Sequence, residues 1–284
     1  MVRGSCLCGD VAWEAAGDGE LMSHCHCSMC RKSHGSAFST YVAFAQKGFR
    51  WIRDTGRIVR YVSSPGFERP FCGRCGSVVA GEPHDGRVFV PAGCLDDDPG
   101  TRPMAHIFVA SKAPWWSITD DLPRFDAYPA QWGPAGIDRP VASGDAPDGA
   151  ARGSCLCGDV RFEVNGEYET IFCCHCSRCR KARSAAHATN LFVRPDDFRW
   201  LGGESGLATF ELPGAARFAQ CFCPRCGSPM PRVREDTVAV PVGAFDDDPR
   251  ARPALHIHVG SMAPWHSIKD ALPRHVDGPG SPAP

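Results

Sequence analysis

Fourteen cysteines stand in two matching sets: Cys6, Cys8, Cys25, Cys27, Cys30, Cys72 and Cys75, then Cys155, Cys157, Cys174, Cys176, Cys179, Cys223 and Cys226. Each set offers thiols in groups of two, three and two. A structural zinc ion takes four donors, and a catalytic one takes three plus an open position. Seven thiols per set therefore predict one closed and one open zinc site in each copy, two per domain and four per chain.

Residues i and i+2 of an extended strand face one side, so Cys6 with Cys8, and Cys155 with Cys157, can grip one ion. Cys72-Gly73-Arg74-Cys75 and Cys223-Pro224-Arg225-Cys226 each run into glycine, a tight knuckle that presents two thiolates. Strand and knuckle together make a closed four-sulfur site, read as structural. A metal that closes so long a loop is stabilising, because it removes loop entropy from the unfolded chain. The middle group, Cys25, Cys27 and Cys30 or Cys174, Cys176 and Cys179, has no obvious fourth thiol. Three thiolates leave zinc a weak electrophile, better suited to holding an exogenous thiol as its nucleophilic thiolate than to making hydroxide. The alternative is a second closed site completed by His24, His26 or His34, or by His175 or His187, since Cys₃His is a common structural set.

The elements that must position these thiols are short. Apolar runs such as Val11–Trp13, Phe38–Phe44, Ile58–Val62, Val88–Val90 and Ile107–Val109 are separated by turn clusters such as Ser64-Pro65-Gly66, and no long helical stripe appears. A mainly β, mostly antiparallel fold follows, stapled by metal. The repeat extends beyond the cysteines: Phe49-Arg50-Trp51 returns as Phe198-Arg199-Trp200, Asp96-Asp97-Asp98-Pro99 as Asp246-Asp247-Asp248-Pro249, and Ala113-Pro114-Trp115 as Ala263-Pro264-Trp265. A period of about 150 residues is too long for a solenoid unit and marks a duplicated domain. The expected division is a first zinc domain over 1–132, a linker over 133–151, a second zinc domain over 152–277 and a disordered tail over 278–284.

The chain has 284 residues, with Lys plus Arg 31 against Asp plus Glu 32. That balance gives no electrostatic footprint for nucleic acid or an acidic membrane surface. No apolar run approaches the roughly 18 residues of a membrane span, and the first residues lack the apolar core of a signal peptide. A soluble cytoplasmic protein is expected, and in that reducing compartment clustered cysteines bind metal rather than pair. The odd total of 17 cysteines also argues against a disulfide framework.

Gly-Ser-Cys-Leu-Cys-Gly, Cys-His-Cys-Ser-x-Cys-Arg-Lys, Phe-Cys-x-x-Cys-Gly-Ser and His-Ile-x-Val-x-Ser-x-Ala-Pro-Trp, in that order and twice over, resemble the family of glutathione-dependent formaldehyde-activating enzymes, which includes the centromere protein V domain. The resemblance implies the zinc-binding Mss4-like (β-tent) fold, duplicated. It implies structural zinc on Cys6, Cys8, Cys72 and Cys75 and on Cys155, Cys157, Cys223 and Cys226. Catalytic zinc is implied on Cys25, Cys27 and Cys30 and on Cys174, Cys176 and Cys179. The implied reaction is the reversible joining of glutathione and formaldehyde, a carbon–sulfur lyase chemistry whose partners are a small thiol and a small aldehyde. The chain departs from the usual pattern in being duplicated. It also departs in running Ser33-His34-Gly35 after the first triad but Ala182-Arg183-Ser184 after the second, so the pocket walls should differ.

Arg31 and Lys32, with Arg180 and Lys181, follow the triads directly and read either as contacts for substrate carboxylates or as offsets to thiolate charge. His106 and His256 read as core histidines, Trp115 and Trp265 as core or pocket-wall aromatics, and the Asp-Asp-Asp-Pro runs as solvated turns. Cys94, Cys173 and Cys221 lie outside the repeated pattern, and Cys173 is the one able to compete for metal. Two other functions stay open: a non-catalytic tandem zinc scaffold, and a chain with one active and one degenerate copy.

Overall fold

The computed structural model describes residues 1–132, 149–166, 168 and 170–283. Its first copy runs β1 (Val2–Ser5), β2 (Val11–Ala15), β3 (Leu21–Cys25), α1 (Ser28–His34), β4 (Ser39–Ala45), β5 (Phe49–Asp54), β6 (Ile58–Ser64), β7 (Phe67–Cys72), β8 (Arg87–Pro91) and β9 (His106–Ile107). The second repeats this as β10 (Ala151–Ser154), β11 (Arg161–Val164), β12 (Thr170–Cys174), α2 (Ser177–Arg183), β13 (Ala188–Val193), β14 (Phe198–Gly202), β15 (Ala208–Glu211), β16 (Ala219–Phe222), β17 (Arg232–Val233), β18 (Val238–Pro241) and β19 (Pro253–Ile257).

Each copy builds a small sheet, β1-β2-β5 or β10-β11-β14, a hairpin, β6-β7 or β15-β16, and a larger sheet that carries the triad. The larger sheets are ordered β8-β4-β3-β9 and β17-β18-β13-β12-β19. Pairing is antiparallel except where β9 joins β3 and β19 joins β12. Alternation explains the burial. In β2, Val11, Trp13 and Ala15 turn inward while Ala12 and Glu14 face out. Trp115 and Trp265 are 1% and 2% exposed, which makes them core residues. The expected strand over Ile107–Val109 stops early: Phe108 takes a left-handed conformation with φ 57°, and a 3₁₀ turn follows over Val109–Ser111.

The two copies pack on each other through the ends of their helices. Arg31 donates to the carbonyl oxygens of Gly243 and Phe245, and Arg180 donates to those of Gly93 and Leu95. Lys32 Nζ meets Asp246 at 2.6 Å and Ser154 Oγ at 2.7 Å, and Lys181 Nζ meets Asp96 and Ser5 Oγ, both at 2.6 Å. His34 Nδ1 donates to the Arg183 carbonyl oxygen at 2.8 Å, joining the end of one helix to the end of the other. The aspartate runs are therefore not simply solvated turns, since each gives its first member to the opposite copy. Near the C-terminus, His275 Nδ1 donates to the Ser281 carbonyl oxygen, and the Val276 amide donates to that of Pro282. Residues 133–148 of the expected linker lie outside the described residues, and β10 already begins at Ala151.

Candidate metal centres

Cys6 and Cys8 do not sit on a strand as their spacing suggested. β1 ends at Ser5, and the two thiols project from a turn closed by the Gly9 amide on the Cys6 carbonyl oxygen at 3.1 Å. The Cys72–Cys75 knuckle is a matching turn, with the Gly76 amide on the Cys72 carbonyl oxygen at 2.8 Å. The four sulfurs converge: Cys6 Sγ is 3.5 Å from Cys8 Sγ, and Cys8 Sγ is 3.6 Å from Cys72 Sγ. In the second copy, Cys155 to Cys157 is 3.4 Å and Cys157 to Cys223 is 3.7 Å. A disulfide would need about 2.05 Å, whereas tetrahedral zinc with sulfurs about 2.3 Å away spaces them by about 3.8 Å. These distances fit the metal.

Protonation points the same way. Four thiols this close repel one another once charged, so they cannot all ionise without a cation at their centre. Backbone donors support it further, with the Val11 amide 3.4 Å from Cys6 Sγ and the Val160 amide 3.3 Å from Cys155 Sγ.

The triads are built at a strand-to-helix junction. Cys25 ends β3, Cys27 is the N-cap of α1, and Cys30 lies in its first turn, its amide donating to Cys27 Sγ at 3.3 Å. Cys174, Cys176 and Cys179 repeat this on β12 and α2, with the Cys179 amide 3.4 Å from Cys176 Sγ. The thiols of each triad lie within 4.8 Å of one another, and no histidine or carboxylate joins either group among the described residues. His26 and His175, one residue past the ends of β3 and β12, are engaged elsewhere. His26 Nε2 meets His106 Nδ1 at 2.8 Å, and His106 Nε2 meets Asp120 at 2.9 Å. His175, His256 and Asp270 repeat this arrangement at 2.9 Å and 3.0 Å. His24 is held by Thr40, His34 by Tyr41 and the Arg183 carbonyl oxygen, and His187 by Thr189. Cys173, fully buried beside Cys174, belongs to no metal group among the described residues.

The surroundings of the two triads differ. Buried Arg69, which the sequence reading did not single out, places Nη1 3.4 Å from Cys30 Sγ. Burial works against the Arg69 charge, but the Cys30 and Cys27 thiolates outweigh it and hold the guanidinium firmly protonated. Phe108, Phe125 and Trp132 pack around this triad, and Tyr128 lies edge-on to Phe108 at 4.9 Å. In the second copy, Arg183 is the buried cation acting on Cys179, and His258 takes the left-handed position that Phe108 holds in the first. Arg31, Lys32, Arg180 and Lys181 give their hydrogen bonds and ion pairs to the opposite copy's carbonyls, serine hydroxyls and aspartates. Lys32 also lies in the field of Cys155 and Arg180 in that of Cys176, in keeping with an offset to thiolate charge. A charged residue following a triad carries no mark of whether it faces a pocket or a partner surface, and Arg69 lies too far along the chain for the motif to reveal it.

A family profile described as "Glutathione-dependent formaldehyde-activating enzyme" matches residues 1–111 and again 150–261. A protein of Halomonas elongata named "Putative glutathione-dependent formaldehyde-activating enzyme" is 33% identical over 126 residues, which is 41% of this chain and 80% of that protein. A crystal structure of a Rhodobacter sphaeroides protein matches at 26% identity and a TM-score of 0.27, covering 33% of this chain and 85% of that one. No helix among the described residues is long and apolar enough to cross a membrane.

Proposed function

The chain belongs to the family of glutathione-dependent formaldehyde-activating enzymes, with its Mss4-like fold in two tandem copies, and from that footing we propose that it is a zinc enzyme joining a low-molecular-weight thiol to a small aldehyde, or splitting their adduct. The observation that supports this most is the contrast between clusters: two four-thiol groups beside two three-thiol groups with no fourth donor among the described residues. A zinc ion in a three-thiol group would keep one position for an incoming thiol and favour its ionised form.

The chain's own residues supply the rest. The triad thiolates, ordered by the N-terminal turns of α1 and α2, fix where an incoming sulfur can sit, which turns a bimolecular encounter into a local one. In the adduct-forming direction, a bond forms from the thiolate sulfur to the carbonyl carbon. The carbonyl electron pair moves to oxygen, and the proton that the thiol released on ionising ends there, giving an S-hydroxymethyl product. Arg69 beside Cys30, and Arg183 near Cys179, are the buried cations able to stabilise negative charge on that oxygen. The aromatic wall of Phe108, Phe125 and Trp132 shields the first site from water.

The test is magnetisation-exchange NMR on the zinc-loaded full chain with glutathione and formaldehyde. Exchange between free thiol and S-hydroxymethylglutathione should accelerate, and Cys27→Ser combined with Cys176→Ser should return it to the uncatalysed rate. A fully metal-loaded chain that accelerates exchange with no thiol would replace this reading with the tandem scaffold.

A further inference from the structure

Beside the second triad lies a cavity of about 210 Å³ with a basic wall. Cys179, Arg183, Asn190, Arg217, Arg232 and Arg234 all line it, and no carboxylate does among the described residues. Arg183 is only 9% exposed. Its Nη2 donates to Asn190 Oδ1 at 3.1 Å, and its Nη1 has no hydrogen-bond partner among the described residues. Arg232 and Arg234 both donate to the Arg217 carbonyl oxygen, so three arginines are gathered by backbone rather than by an acid. A buried guanidinium with an unused donor is costly unless an acceptor completes its set, and no carboxylate lines the cavity among the described residues to do so.

The first copy has none of this. At the spacing that superposes Cys72 on Cys223, Gly66, Gly81 and Pro83 stand where the second copy has Arg217, Arg232 and Arg234. Its two buried guanidinium groups are already engaged, Arg69 with Cys30 Sγ and Arg31 with the carbonyl oxygens of Gly243 and Phe245.

We propose that the cavity beside Cys179 is a carboxylate subsite, so that the second copy selects thiols whose far end is anionic, while the first copy does not. This rests on the reading of the triads as thiol sites. Arginine forks match carboxylates bidentately, which makes a mercapto-dicarboxylate the fitting chemistry. The absence of an acidic lining residue leaves an ammonium group without a partner there.

The zinc-loaded full chain is titrated calorimetrically with mercaptosuccinate, neutral 2-mercaptoethanol, cationic cysteamine and sulfur-free succinate. The titrations are repeated on Arg217→Gln combined with Arg232→Gln, two side chains near the surface. One class of sites should prefer mercaptosuccinate to 2-mercaptoethanol by about tenfold or more. The double variant should lose that preference, and succinate should compete with mercaptosuccinate in the wild type only. If 2-mercaptoethanol binds but mercaptosuccinate binds no better, or if the preference survives in the double variant, the subsite is overturned and the thiol reading stands. If no thiol binds while succinate does so through Arg217 and Arg232, the thiol reading falls and the carboxylate subsite stands.

Discussion

Cys72 and Cys27 both offer sulfur to a metal, but they occupy different structural positions. Cys72 joins the turn after β1 to a knuckle far along the chain, so metal bound there is part of the folding free energy. Cys27 closes only a local strand-to-helix junction. Cys72→Ser or Cys223→Ser should therefore unfold or aggregate the chain, whereas Cys27→Ser or Cys176→Ser should leave it folded and without thiol binding. Circular dichroism and thermal melting would distinguish them, and triad variants that melt as early as knuckle variants would make the triads structural. The fourteen patterned thiols were legible because metal chemistry fixes both residue type and short spacing. Arg69 and Arg217 were not, because nothing local ties a hairpin arginine to a cysteine reached only by folding.

At the level of elements, mainly β character was legible from the alternation in β2 and from the turn clusters between strands. The reading failed where a turn imitates a strand, at Cys6–Cys8, and where Phe108 breaks the run after β9. Between β4 and β13 lies a buried aromatic group that the repeat comparison did not reveal, in which His187 packs edge-on to Phe38 and also contacts His266 and Trp116. Burial holds His187 well below its ordinary 6.5 and His266 down to about 4, so both are neutral in the fold. Unfolded, each titrates near 6.5. As the pH falls from about 6.5 towards 4 the unfolded chain binds more protons, and stability is lost. Denaturation midpoints should decline over that window, less steeply in His266→Trp, which installs the residue found at Trp116. Proton competition for the thiolates acts on both proteins, so equal slopes would contradict the account.

In the whole molecule, the two copies form one body rather than beads on a string. A Cβ on Gly93 would lie 2.1 Å from the Ala185 amide nitrogen, and one on Gly243 would lie 2.5 Å from that of Ser36. Backbone meets backbone there. Gly93→Val or Gly243→Val should force the halves apart and expose buried Lys32 and Arg180, lowering the melting temperature by several degrees, roughly 2–4 °C per kcal/mol for a chain of this size. An unchanged melt would show that the contact is dispensable. The duplication was legible, but the packing was not, because burying Arg31, Lys32 and Arg180 depends on carbonyls and aspartates from the other copy. The central claim, that closed and open metal sites coexist, is tested most directly by counting zinc after reconstitution, then after a chelator with and without glutathione. The four clusters predict four zinc ions per chain, of which the two in the triads leave readily and are retained when glutathione is present. A maximum of two, or the loss of all four together whether or not thiol is added, would contradict it.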